Sequence, residues 1–161
     1  MKRYIYIMIL ICATLLATLQ KMNAQEMKIT TGHPDFSVKL LRCSSSGSTL
    51  TMVLQITNMS YEDVEEIYAY GGGWNGRTAI YDNLGNIYDE NNVQIKLANE
   101  SGFTDTDQRT KFVSRLPMKV TYKITGFSPR ATSIALFEPH FRINYWNIDA
   151  GSVKIRYIPI K

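Results

Sequence analysis

The 161-residue chain has only two cysteines, two histidines, two tryptophans and five prolines, and the scarcity of the first two removes whole classes of chemistry. Hydrolytic triads and most zinc sites need histidine. His33 and His140 lie far apart, and neither stands near an H-E-x-x-H or paired-cysteine spacing. His33 sits in the segment Thr31-Gly32-His33-Pro34, and His140 follows Pro139 between two apolar strands as a turn or core-edge residue. Cys12 falls inside an N-terminal apolar run, and Ile11 stands where a lipoprotein cysteine needs a small residue. Cys43 is then the one thiol of the remaining chain, which has no internal disulfide and must draw its stability from its core. It ends a predicted strand and is expected to pack as a small buried hydrophobe. It would form a thiol pair with His140 only if the fold brought the two together. No catalytic residue, metal site or cofactor is expected.

Also missing is a dense Lys/Arg stripe with interleaved aromatics, which argues against nucleic acid as a partner. The formal net charge of +4 hides an asymmetry. Residues 25–107 carry 12 acidic and 5 basic side chains, a net of −7, while residues 108–161 carry 10 basic and 2 acidic, a net of +8. Interleaved in a sandwich, the two halves complement each other; kept apart on the surface, they make the domain dipolar.

Long apolar runs are absent after residue 24, but one precedes it. Met1-Lys2-Arg3 is a basic start, Tyr4 to Leu19 is an uncharged run of 16 residues, and Gln20 to Ala24 is a polar exit closing on a small residue. This is the pattern of a secretory signal peptide over residues 1–24. The run falls short of the roughly 20 residues of a spanning helix, so a membrane is a partner only if the segment stays uncleaved. With no disulfide framework, a bacterial periplasm, cell surface or exterior is the expected location. On that reading Asn58-Met59-Ser60 and Asn99-Glu100-Ser101 are glycosylation triplets by chance. Residues 25–35 are expected as a flexible lead-in and 36–161 as a single domain.

What is present is period-two alternation. Leu50, Met52, Leu54 and Ile56 alternate with Thr51, Val53, Gln55 and Thr57. Phe36, Val38 and Leu40 precede them in the same style, and Val93, Ile95 and Leu97 follow. Met118, Val120, Tyr122 and Ile124 alternate with Lys119, Thr121, Lys123 and Thr125. Asp82-Asn83-Leu84-Gly85-Asn86 is a hairpin turn between two short strands. No long window after residue 25 carries a helical stripe, although Tyr61 to Ile67 has room for one helical turn. Eight to ten short antiparallel strands imply an all-β fold of two packed sheets, an immunoglobulin-like β-sandwich, with a small barrel as the alternative.

Four segments in order carry a resemblance: Ile56-Thr57-Asn58-Met59-Ser60, the hairpin Ile80 to Tyr88, Leu116-Pro117 leading into Lys119-Val120-Thr121-Tyr122, and Thr132-Ser133-Ile134-Ala135-Leu136. Over roughly residues 36 to 158 the chain resembles small exported bacterial domains with an immunoglobulin-like sandwich and mostly unassigned function. The resemblance implies the fold and export, and no catalytic residues.

Several constellations have bland explanations. Gly71-Gly72-Gly73-Trp74-Asn75-Gly76 matches G-x-G-x-x-G, but Arg77 to Tyr81 after it reads as a strand where a dinucleotide site needs a helix. Asp82, Asn83, Asn86, Asp89 and Glu90 crowd oxygens around one hairpin without EF-hand spacing, as turn formers do. Glu62-Asp63-Val64-Glu65-Glu66 reads as a solvated turn, since adjacent carboxylates do not face each other across a cleft.

The aromatics are the sharper lead. Tyr68, Tyr70 and Trp74 bracket the glycine run, and Phe141, Tyr145 and Trp146 form a second group. Tyr and Trp join a flat apolar face to a polar tip, which suits protein interfaces and sugar rings. The expected ligand-binding residues are Trp74, Tyr145 and Trp146 as stacking anchors with Asn75 and Arg77 as polar rim. A non-enzymatic exported module binding a protein or glycan follows. A small secreted hydrolase or enzyme inhibitor is the alternative, and a structural envelope component a further one.

Overall fold

The computed structural model describes residues 25–73, 78–98, 100–143 and 153–161. These form twelve strands and no helix. In chain order they are β1 (Lys28–Thr30), β2 (Phe36–Ser46), β3 (Thr49–Asn58), β4 (Val64–Tyr70), β5 (Ala79–Asp82) and β6 (Ile87–Tyr88). β7 (Val93–Leu97), β8 (Asp107–Phe112), β9 (Pro117–Thr125), β10 (Ser133–Glu138), β11 (His140–Arg142) and β12 (Lys154–Pro159) follow. Every strand pairing is antiparallel. The strands make a four-stranded sheet β2-β3-β9-β7, a five-stranded sheet β1-β12-β10-β5-β6 and a three-stranded sheet β11-β4-β8.

Alternation in the sequence becomes burial on one face. Leu50, Met52, Leu54 and Ile56 of β3 are fully buried, and Val120, Tyr122 and Ile124 of β9 continue the same inner face. Aromatic edges join this sheet to the other two. Tyr122 meets Phe137 of β10 with ring centroids 4.9 Å apart, and Phe36 meets Phe112 of β8 at 5.9 Å and Phe141 of β11 at 5.3 Å. One continuous apolar core results, in a sandwich-like arrangement. Its end is tied by the buried Asn58, whose Nδ2 donates to Glu62 O (2.8 Å) and Phe112 O (3.1 Å) and whose Oδ1 accepts from the Ser60 N–H. That engagement leaves no free amide for a sugar; Asn99 lies outside the described residues.

Three expectations are corrected. Twelve strands replace eight to ten, because β1 is only three residues long and β8 buries only Phe112, so neither carries an apolar alternation to read from sequence. The lead-in 25–35 holds β1, which pairs with β12 through Ile29↔Ile155 and so has an ordered place at a sheet edge. Val64 to Ile67 begins β4 where a helical turn had room, and the acidic run Glu62 to Glu66 is half strand instead of a solvated turn. Register is the cause: Val64 turns inward opposite Phe112. The sheets remain open, each ending in two edge strands, which sets aside the small barrel that stood as the alternative to a sandwich.

Cys43 faces the interior of β2, and burial pushes its thiol up to about 12. At pH 8 only roughly one thiol in ten thousand is thiolate, the reactive species. A thiol reagent should therefore label the native protein no faster than it unfolds, and reducing agent should leave the melting temperature unchanged. Rapid stoichiometric labelling of the folded protein would contradict this placement.

Candidate functional site

β4 and β11 turn Ala69 and Phe141 inward, so their alternate residues project from the other side of the three-stranded sheet. Register places His140 opposite Tyr70 and Arg142 opposite Tyr68. The rings of His140 and Tyr70 stack at 4.4 Å with an interplanar angle of 19°, Tyr70 and Tyr68 follow at 6.3 Å and 20°, and the Arg142 guanidinium lies over Tyr68 at 5.1 Å. Tyr68 Oη donates to Glu66 Oε2 (2.6 Å), and Arg109 of β8 closes the group by an ion pair with Glu66 at 3.2 Å. Burial raises the Tyr70 phenol, with Arg142 pulling the other way. The result is a flat aromatic row with a guanidinium at one end. Tyr70, the middle ring, is buried, Tyr68 and His140 are half-buried and Arg142 is exposed, so the row reaches the surface chiefly at its ends.

The ends of this row lead into the segments that the sequence singled out. After Tyr70 the backbone N–H groups of Gly71, Gly72 and Gly73 donate to Thr106 O, Val93 O and Asp105 O, at 2.7, 2.9 and 2.7 Å. The chain is resumed at the buried Thr78, whose hydroxyl donates to Tyr70 O (2.7 Å) and accepts the His140 N–H (3.0 Å). Trp74, Asn75 and Arg77 lie between these points, outside the described residues, and so do Tyr145 and Trp146. Antiparallel pairing means that the chain leaves β4 and β11 at opposite ends of the row. The second segment returns at Val153, which the Phe137↔Ile155 register carries toward Pro139 and hence toward Thr78. Each segment thus follows a strand of the three-stranded sheet and precedes a strand of the five-stranded one.

The remaining constellations resolve into structure. Since the Gly71–Gly73 donors are spent on protein carbonyls, none is left to cradle a phosphate. Asp82 Oδ1 accepts from the N–H groups of Leu84 (2.8 Å) and Asn86 (3.0 Å), and Oδ2 from Asn86 Nδ2 (2.8 Å) and Tyr88 Oη (2.9 Å). Burial alone would raise this carboxyl, but those hydrogen bonds prevail and hold it below its ordinary value. Its oxygens are filled by the turn itself. Asp63 pairs with Lys111 at 2.7 Å and takes the Ser114 N–H, clamping β4 to β8. His33 Nδ1 accepts the Asp35 N–H at 3.2 Å and shapes a turn. Cys43 and His140 stand apart, one on the inner face of the four-stranded sheet and the other on the outer side of the three-stranded sheet. No group of three or more potential metal ligands occurs among the described residues.

Sequence reasoning passed over Arg142, read Glu66 as part of a solvated acidic turn and assigned His140 to a turn or core edge. The signal was there in part: Tyr68 and Tyr70 share a strand face, but only the β4–β11 register shows what joins them. In comparisons with known proteins, no family model, no curated protein and no solved structure matches the chain.

Proposed function

We propose that this chain is an exported, non-enzymatic binding module with an immunoglobulin-like sandwich, related to the small exported bacterial domains it resembles. Its partner is a protein or glycan of the cell envelope or exterior. Export is supported by the tripartite pattern of residues 1–24. Recognition is carried by one observation: the row His140, Tyr70, Tyr68 and Arg142 projects from the very strands that continue into the Trp74 and Tyr145–Trp146 segments. Rigid aromatics and arginine are the groups that dominate binding energy at interfaces.

The test separates binding from folding. A partner captured from the host envelope by the wild-type domain should lose roughly 2 kcal/mol or more of affinity for Trp74→Ala, Trp146→Ala and Arg142→Ala. The melting temperatures should stay close to wild type. A tryptophan that served only the core would cost roughly 3–5 kcal/mol of stability on truncation. If the variants unfold readily, or retain full affinity, this face is not the recognition surface.

A further inference from the structure

The outward face of the four-stranded sheet has a composition of its own. Opposite residues in an antiparallel ladder share a face, so the register reads the surface directly. Lys39, Gln55 and Lys119 form one row; Arg42, Val53, Thr121 and Lys96 form the next. Ser44, Thr51, Lys123 and Gln94 form a third, and only Ser, Thr and Pro stand outward beyond these rows. Five cations therefore project from one rigid sheet on which no outward position is acidic. Carboxylates stand beyond the strands, at Asp35 just before β2 and in the segment that holds Glu100 and Asp105 and bridges to Ile95 through Thr104. Elsewhere the basic and acidic groups do meet, as Arg109 with Glu66, Lys111 with Asp63 and Lys154 with Glu138. None of the five makes an ion pair with a described carboxylate.

We propose that this face binds an acidic polysaccharide, a sugar chain carrying carboxylates at intervals. The surface is separate from the aromatic row and stands whether or not that row recognises a partner. Charge complementarity requires a polyanion, and the face itself selects among polyanions. Four of the five cations are lysine, a residue depleted at protein interfaces. No aromatic ring projects among them to stack a nucleic-acid base, the nearest being Phe103 beyond the β7 edge, 5.9 Å from Lys123 Nζ. Among the paired outward positions only Val53 and Pro117 are apolar, and Leu41 is exposed at the β2 bulge on the edge, which leaves the face itself little apolar surface for a lipid layer to bury. Between the cations stand hydroxyls and amides in register, which suit a partner lined with hydroxyl groups. Adjacent strands lie about 4.8 Å apart, so Lys39 and Lys119, flanking Gln55, address anionic groups roughly twice that distance apart. At the β2 edge the face meets a groove of about 500 Å³ lined by Met27, Leu40, Leu41, Arg42, Pro159 and others, where apolar sugar-ring faces have a place.

Binding of the purified protein to immobilised polygalacturonate tests this, with neutral dextran and anionic phosphatidylglycerol vesicles as the other arms. Wild type should bind polygalacturonate, ignore dextran, and weaken steeply as salt rises. The triple variant Lys39→Gln, Lys119→Gln, Lys123→Gln should lose at least tenfold in affinity, with an unchanged melting temperature. Its charge-matched control, Lys28→Gln, Arg130→Gln, Arg156→Gln, should stay within twofold of wild type. The single variant Lys119→Glu gives the same reading should the triple prove unstable. Absence of polygalacturonate binding at low salt, equal losses in both triples, or tighter binding to the vesicles than to the polysaccharide would each overturn the proposal.

Discussion

Gly72→Ala is expected to cost on the order of 3 kcal/mol of stability, a drop of roughly 10 °C in melting temperature for a domain of this size. A Cβ built on Gly72 stands 2.1 Å from the carbonyl oxygen of Glu90 and 2.6 Å from its nitrogen. Both are backbone atoms, and they belong to a bridge in which Gly72 pairs with Glu90. Nothing at the contact can rotate aside, so the two segments must separate. Glu90 already sits at a φ of 39°, which leaves it little freedom to yield. Gly47→Ala is the informative comparison, because its φ is 57° but no atom lies within 4 Å of the added carbon. It should lose only the cost of a left-handed alanine, roughly 1–2 kcal/mol. Thermal unfolding of the two variants decides the matter; a milder effect at Gly72 than at Gly47 would remove close packing as the reason for the glycine run.

Leu54→Ala should be comparably severe, at about 2–5 kcal/mol. Leu54 is fully buried in β3, between Leu40 of β2 and Val120 of β9. A cavity there lies at the centre of the four-stranded sheet. Thr51, on the opposite face between Ser44 and Lys123, is only half buried, and Thr51→Ala should cost well under half as much. Denaturant unfolding that ranked the two the other way would shift β3 by one residue, because a slip of one exchanges the faces of a strand.

The alternation around Leu54 is also why the fold class was legible. Strands of nine to eleven residues such as β2, β3 and β9 carry enough period-two signal to declare themselves. The hairpin at Asp82 was equally plain, since its turn chemistry is local. What stayed hidden depends on distant register. That β10 passes through Pro139 into β11, and so serves two different sheets, leaves no local trace. Gly71 to Gly73 looked like a loop displaying Trp74. Their need for glycine becomes visible only when Glu90 and Asp105, far along the chain, are seen against them. The aromatic candidates were found as letters, while the stacking of His140 on Tyr70 had to wait for the β4–β11 pairing. The cationic face is the extreme case: each lysine reads as an ordinary solvated residue, and the pattern exists only across four strands.

The pairing of β1 with β12 also determines how the molecule answers tension. Lys28 lies opposite Arg156 and Thr30 opposite Lys154, so the chain enters and leaves this pair at the same end. A pull that separates residue 28 from residue 159 loads these bonds in sequence, starting at Lys28, as a zipper opens. Sharing the load among many bonds would require strands drawn past each other along their length, a direction this pair does not offer. The ten-residue ladder of β2 and β3 lies outside this pair, tied to the chain after β12 by the Lys161 N–H donating to Cys43 O at 3.1 Å. A tethered molecule would peel at β1 first, at low force, with the four-stranded sheet still whole.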